Sequence, residues 1–367
     1  MIEQIMRKKT KILFITNTES RGGAQQMLSR LYKYSKIQGY DSSLIFLFEG
    51  NDSFKDLGGI SIVKNDMFKY LKVLPLLLLF IYKKKPGIII SFLPLSNILA
   101  QTAGFICRVK YRIASQRNPS YTYGSTVRFL DKIVGTIGVY KKNVMISNSS
   151  YNSFKNYPKN YKKKVEIIHN GIETKISQLS KIEARLKFKL PDDKTILVNT
   201  GRLVEQKNQK FLLELMPYLD NSFHLVIAGR GKFKDYFESL IEDENLENKV
   251  SLLGFVKSTE VVDLLQASDI FLFPSIFEGF GNSLLEALSV GLPVITSDLD
   301  IFREILICDK YNAGVICDTD SPEDWIDEII KIKSNINYRK ELSANAIKRS
   351  DNFTLNSMLN KFLKGIE

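Results

Sequence analysis

Two doubly wound parallel α/β sheets are the architecture this sequence predicts, and three observations predict it. Short runs that are apolar throughout recur along the chain, stretches of helical periodicity separate them, and both halves open with the same strand–loop–helix pattern. A strand that is apolar at every position is buried on both faces, as in a parallel sheet covered by helices. The length of 367 residues corresponds to roughly two to three domains. A hydrophobic fraction of 44% with 25% charged residues excludes a disordered chain, a collagen and a small disulfide-stapled module.

In chain order, the apolar runs of the first half are Lys11–Asn17, Leu44–Phe48, Ile88–Leu93, Arg112–Ser115, Val144–Ser147 and Val165–His169. Between the first two, Gln25–Ile37 reads as a helix with Met27, Leu28, Leu31, Tyr34 and Ile37 on one face. The longest apolar run, Val73–Tyr82, contains Pro75 and is flanked by Lys69, Lys72 and Lys83–Lys85. A membrane span needs about 20 apolar residues, so this segment reads as a core helix or, failing that, an interfacial one. The second half repeats the rhythm at Thr195–Asn199, Phe223–Ala228, Val250–Leu253, Ile270–Phe273, Pro293–Thr296 and Gly314–Cys317. The halves meet between HNGIE (169–173) and the helix-like KIEARLKFKL (181–190), and FTLNSMLNKFLKGIE (353–367) reads as an amphipathic closing helix.

The net charge of +12 is unevenly placed. Residues 1–200 hold 34 Lys and Arg against 13 Asp and Glu, or +21, whereas residues 201–367 hold 18 against 27, or −9. A basic half of this kind suits a polyanionic partner or an anionic membrane surface; the other reading is Lys-rich codon usage. Cys107, Cys308 and Cys317 form no CxxC pair and read as buried free thiols of a reducing compartment. His169 and His224 are too few and too far apart for a metal site, and the basic-then-apolar start reads as a first strand, not a leader.

Three strand-to-helix turns hold chemistry. Ser20-Arg21-Gly22-Gly23 either brings backbone close to a phosphate at a helix N-terminus or is a plain tight turn. It is neither GxGxxG nor a Walker A loop. Gly201-Arg202-Leu203 with Lys207 either clamps a diphosphate between two cations or is a solvated surface pair. The segment Pro274 to Leu288 follows an apolar strand, and Gly279 and Gly281 imply an irregular loop. Asn282 or Ser283 is placed to cap the following helix. Were the chain continuously helical from Glu278 to Glu286, the two carboxylates would lie about 12 Å apart along the axis, too far for a paired acid and base.

Glu278 and Glu286 give an E-x7-E spacing within PSIFEGFGNSLLEALSVGLPVITSD. With VNTGRLVEQKNQKFLLEL, FHLVIAGRGK, VSLLGFV and VEIIHNGIE, this resembles the retaining, family 4 type of glycosyltransferase with the GT-B fold. The resemblance is densest over residues 165–300. It implies two Rossmann-like domains facing across a cleft: 1–172 binding acceptor, 173–350 binding a nucleotide-sugar donor, and 351–367 packing back on the first domain. By position it makes Arg202 and Lys207 the holders of the donor diphosphate, Glu278 the carboxylate facing the donor sugar, and Glu286 the grip on the ribose hydroxyls. Gly201 and the backbone of Phe280, Gly281, Asn282 and Ser283 would cradle phosphate and sugar, and Gly22 and Gly23 would close over the same phosphate. Because Lys and Arg would do the charge work, the resemblance implies neither metal nor other cofactor. SDLD (297–300) and DTD (318–320) read as turns.

Many relatives carry a His after the strand that here reads RIAS. This chain has Gln116-Arg117-Asn118-Pro119 instead, like a subset of bacterial surface-polysaccharide transferases. Arg117 cannot act as a base, but it is suited to phosphate or sugar. Arg117, Asn118, Asn97 and His169, with Pro94 and Ser96, are therefore assigned to the acceptor or sugar side. His224 is read as structural.

The implied activity is a metal-independent, retaining hexosyltransferase using a nucleotide sugar, UDP-linked by preference. Its acceptor would be a lipid-linked glycan of the undecaprenyl diphosphate type, in O-antigen or capsule synthesis. The enzyme would be cytoplasmic and peripheral at the inner membrane face, held there by the basic half. The alternatives are a transferase acting on lipopolysaccharide core or a soluble sugar, and a non-catalytic nucleotide-sugar-binding scaffold. No nucleic-acid module is present, and oligomeric state is open.

Overall fold

The computed structural model describes residues 10–18, 22–50, 59–64, 68–173 and 177–366. The chain divides into two compact units: residues 1–171 with 355–367, and residues 172–354. Counted by unit, the first holds 30 Lys and Arg against 10 Asp and Glu, and the second 22 against 30.

The first unit is built on seven parallel strands: β1 (Lys11–Thr18), β2 (Asp41–Phe48), β3 (Ile60–Val63), β4 (Ile88–Phe92), β5 (Tyr111–Gln116), β6 (Lys142–Met145) and β7 (Val165–Ile167). Their spatial order is β3-β2-β1-β4-β5-β6-β7. The chain runs outward from β1 to β3, then returns to the other side of β1, so the winding reverses between β1 and β4. β3 lay outside the predicted strands: it is a four-residue edge strand with Ile60 largely exposed.

The second unit repeats this plan with β8 (Thr195–Thr200), β9 (Phe223–Ala228), β10 (Val250–Gly254), β11 (Ile270–Phe273), β12 (Val294–Ser297) and, after a two-stranded β13–β14 hairpin (Ile307–Cys308, Tyr311–Asn312), β15 (Val315–Cys317). The order is β10-β9-β8-β11-β12-β15, reversing between β8 and β11. In doubly wound sheets such reversals open a crevice beyond the carboxyl ends of the strands, where ligands bind.

Buried runs such as Ile88–Phe92 and Ile270–Phe273 form the sheet centres, and helices cover them. The terminal helix, Leu355–Leu363, belongs to the first unit, where Leu355, Met358, Leu359 and Phe362 join the core beneath β1 and β4. Two helical expectations are sharpened. In the Gly23–Ile37 helix Met27, Leu28 and Leu31 of the expected face are buried and Tyr34 packs against the core, Tyr32 and Ser35 widen the buried arc, and Ile37 is exposed. The helix over Val73–Tyr82 extends from Lys69 to Lys84 but buries only Val73, Leu77 and Ile81, an i, i+4, i+8 stripe. Leu74, Leu78 and Phe80 pack partly buried against the same core while Leu71, Leu76, Leu79 and Tyr82 face outward, so this is a core-packing helix with an exposed apolar face. No helix among the described residues is long and apolar enough to cross a membrane.

Of the thiols, only Cys317 is buried, and burial pushes its pKa up to about 12; Cys107 and Cys308 are half-buried. His224 sits in β9 with its Nε2 2.8 Å from Ser251 Oγ, and burial lowers its pKa, as a structural histidine would show.

Candidate active site

The carboxyl edge of the second sheet collects the motif residues on the two strands that flank the reversal. Gly201, Arg202 and Lys207 follow β8, and Ser275 to Glu278 follow β11. Asn199 Nδ2 donates to Leu272 O at 2.8 Å, tying the strands together at their ends. Gln209 Nε2 donates to Arg202 O at 3.0 Å and pins the first loop. The loops are then laced to each other: Ile276 N donates to Gln206 O and Gln206 Nε2 to Phe277 O, both at 2.9 Å.

This lacing brings Lys207 Nζ into a direct ion pair with Glu278. The ammonium also lies 4.6 Å from the Phe273 ring centroid, and Ser275 Oγ donates to the same Glu278 oxygen at 3.1 Å. Both charged side chains are nearly buried, at 12% and 9% exposure, so the pair is little screened by solvent. Arg202 is exposed, and its Nη2 donates to Gln206 Oε1 at 3.2 Å. A tethered cation, a second cation in the open and a carboxylate within one strand-end crevice can hold a diphosphate and a polyol together.

Glycine geometry shows why the loops lie so close. A Cβ on Gly229 would stand 1.7 Å from Gly201 O, and one on Gly231 2.1 Å from Leu203 O, so the AGRGK turn must be side-chain-free to seat the Arg202 loop. Gly281 has φ +89° and is the N-cap of the Asn282–Ser289 helix, without a side-chain cap bond. Asn282 and Ser283 are therefore the first residues of that helix and not its caps. Glu278 lies on the loop, so the continuous-helix separation from Glu286 does not apply. Glu286 is half-buried on the second turn of the helix, and Phe280 is buried edge-on against Phe353. DTD is a turn, with Asp320 N donating to Asp318 Oδ1 at 3.0 Å, whereas SDLD joins the end of β12 to the Asp300–Leu306 helix, where Arg303 Nε donates to Asp298 at 2.6 Å.

At the corresponding edge of the first sheet, Ser20 and Arg21 lie outside the described residues. Gly22 caps the Gly23–Ile37 helix at φ −65°, which any residue adopts. Asn97 is fully buried, accepts from Ser91 Oγ at 2.7 Å and donates to Ser115 O at 3.0 Å, knitting β4 to β5. Ser96 is buried as well, its hydroxyl bonded to Phe92 O, while Pro94 is the first residue of its helix. Asn118 is exposed and His169 half-buried at the end of β7.

Arg117 is 2% exposed. It lies over the Phe92 ring at 4.2 Å, donates from Nη2 to Asn170 Oδ1 and from Nη1 to Ser115 Oγ at 3.3 Å, and burial pulls its pKa down to about 9. The tyrosine-rich cluster behind it, centred on the buried Asp131, and the supporting amides Asn199, Gln206 and Gln209 escaped the sequence reading. Asn199 alone left a signal, as a polar residue ending an apolar strand that must be satisfied by a partner.

Residues 180–349 match the family model for glycosyl transferases group 1. An O-antigen biosynthesis glycosyltransferase of Escherichia coli is 27% identical over 73% of this chain and 76% of its own. The Campylobacter jejuni N-acetylgalactosamine-N,N'-diacetylbacillosaminyl-diphospho-undecaprenol 4-alpha-N-acetylgalactosaminyltransferase is 33% identical over 50% of this chain and 49% of its own. The chain spans about half the length of several curated relatives it matches. Among solved structures, Anabaena HepE in complex with UDP and glucose superposes with a TM-score of 0.83 at 17% identity, covering 97% of this chain and 99% of that one. Residues 180–349 thus resemble the group 1 glycosyl transferases, and the chain has the GT-B fold.

Proposed function

We infer that this chain is a retaining, metal-independent glycosyltransferase. It would move a hexose or N-acetylhexosamine from a UDP-linked donor to a lipid-linked oligosaccharide during O-antigen or capsule synthesis. The observation that carries the reading is the Lys207–Glu278 pair beside Arg202 at the reversal of the second sheet. Lys207 and Arg202 would hold the donor diphosphate and stabilise the charge that builds on it as the glycosidic bond breaks. Glu278, already within reach of Lys207, would orient the sugar. The amides at the start of the Asn282–Ser289 helix would cradle phosphate and sugar, and Glu286 the ribose. The Campylobacter relative's diphospho-undecaprenol acceptor and the UDP bound by the Anabaena structure support the two substrate classes.

The first unit would face the membrane. Its outward residues Leu71, Leu76, Leu79 and Tyr82 are flanked by Lys69, Lys72 and Lys83–Lys85, a combination suited to an anionic interface. Each nearby Lys adds about 1 kcal/mol there.

The test is nucleoside diphosphate release from a panel of UDP-hexoses and UDP-N-acetylhexosamines, with membrane-extracted lipid diphosphate acceptors. Lys207→Ala and Glu278→Ala should each slow turnover about 10²–10³-fold. Product anomers should keep the donor configuration, and chelator should leave the rate unchanged. No turnover with any pairing overturns the reading.

A further inference from the structure

We propose that Arg117, with Asn170 and Ser115, is an anion-binding site of the first unit that takes a phosphate-class group. A buried cation is costly unless a counter-charge or a full set of acceptors meets it. Arg117 is nearly sealed from solvent, yet its acceptors are one amide and one hydroxyl, and its Nε is buried with no partner. Between Phe68 and Gly171 the chain has 18 Lys and Arg but only two acidic residues, Asp131 and Glu166. Both are committed elsewhere. Asp131 accepts from Tyr140, Tyr161 and Gln116, and Glu166 pairs with Lys142 at 2.7 Å.

The guanidinium is also prevented from swinging out to water. Tyr123 OH shares its proton between the Gln116 side-chain Oε1 and the Asn118 backbone O, at 3.0 and 2.9 Å, tying down the residues on both sides of Arg117. Phe92 holds its face, and Leu93, which follows, has φ +78°, a strained conformation for a bulky residue and typical of sites under functional constraint. Placement agrees: Arg117 follows β5 and Phe92 ends β4, one strand from the reversal at which doubly wound sheets bind ligands. A planar fork with a free Nε edge matches phosphate oxygens.

Two sources share this chemistry, the donor's diphosphate and the diphosphate of a lipid-linked acceptor, and only the choice between them rests on the function proposed above. The full chain is titrated calorimetrically with UDP alone, and with inorganic pyrophosphate in saturating UDP. Arg117→Met should weaken one of these affinities about tenfold or more. Loss of UDP affinity names the donor; loss of pyrophosphate affinity beside UDP names the acceptor. If neither moves, the site is refuted. A second variant guards against misfolding: Asn170→Asp sets a carboxylate against the guanidinium, so it should raise the melting temperature while weakening the same affinity. Unchanged binding of both probes to a folded Asn170→Asp chain overturns the proposal as well. Both titrations read binding without turnover, so their failure leaves the transferase reading standing. A chain that binds through Arg117 but transfers nothing refutes that reading alone.

Discussion

Arg185 of the second unit and Arg117 of the first are both buried beside a strand of their sheet, and the two are met in opposite ways. Arg185 in the second unit bonds Asp269 at 2.8 Å and the carbonyls of Ala267 and Asp192 at 3.1 and 2.6 Å. Asp269 in turn accepts from Ile196 N at 2.7 Å, so the pair locks the Lys181–Phe188 helix to the sheet. Arg117 in the first unit has no carboxylate among the described residues. The carboxylates repeat the contrast: Lys207 meets Glu278, whereas Asp131, on the Ser125–Thr136 helix of the first unit, accepts from Tyr140, Tyr161 and Gln116. A charge paired at every contact is architecture. Arg112, buried in the first unit without a carboxylate, is met by the carbonyls of Val139 and Val109, whereas Arg117 has only one amide and one hydroxyl.

The largest expected effect separates the two arginines. Asp269→Asn leaves Arg185 buried and uncompensated and should cost about 3–5 kcal/mol in chemical denaturation. Arg117→Met removes a charge that was never compensated and should cost nothing or stabilise. Equal losses in both variants would break the comparison.

Glycine substitutions sharpen it at intermediate size. Gly229→Ala drives a methyl group into Gly201 O and should destabilise by about 1–3 kcal/mol, weakening UDP binding through the displaced Arg202 loop. Gly22→Ala meets only the flexible end of Gln25 at an ordinary φ and should stay within about 0.5 kcal/mol of the parent in the same assay. A Gly22 variant as damaged as Gly229→Ala would show that both strand ends are equally close-packed.

The physics of each element decided what could be read from sequence. Central strands were legible because burial on both faces leaves an unbroken apolar run. The edge strand Ile60–Val63 was not, since one short half-exposed run resembles a loop. The last turn of the Gly23–Ile37 helix was less legible because Ser35 is fully buried with its hydroxyl satisfied by Tyr32 O and Ser42 Oγ, which a hydrophobic pattern does not register. Motif residues such as Lys207 and Glu278 stood out, but Gln206, Gln209 and Asn97 act through amide bonds whose partners lie as far as 71 positions away. Composition and spacing do not encode such partners.

The smallest effect probes the first unit's other isolated charge. Asp131 is buried, and burial raises its pKa despite the hydrogen bonds from Tyr161, Tyr140 and Gln116 that lower it. The native carboxyl therefore holds its proton at pH values where the unfolded chain, titrating near about 3.9, has released it. With more protons bound in the native state, its contribution to stability is full below the unfolded value and falls as pH rises through the native one. Asp131→Asn keeps an oxygen acceptor for Tyr140 and Gln116 and does not titrate. Its melting temperature relative to the parent should therefore climb as pH rises from about 4 and level off once the native carboxyl is ionised. Burial shifts Arg117 and Asp131 toward neutrality from opposite directions, as expected for two charges buried without each other. A difference between variant and parent that stays constant with pH would mean that Asp131 ionises as it does in the unfolded chain.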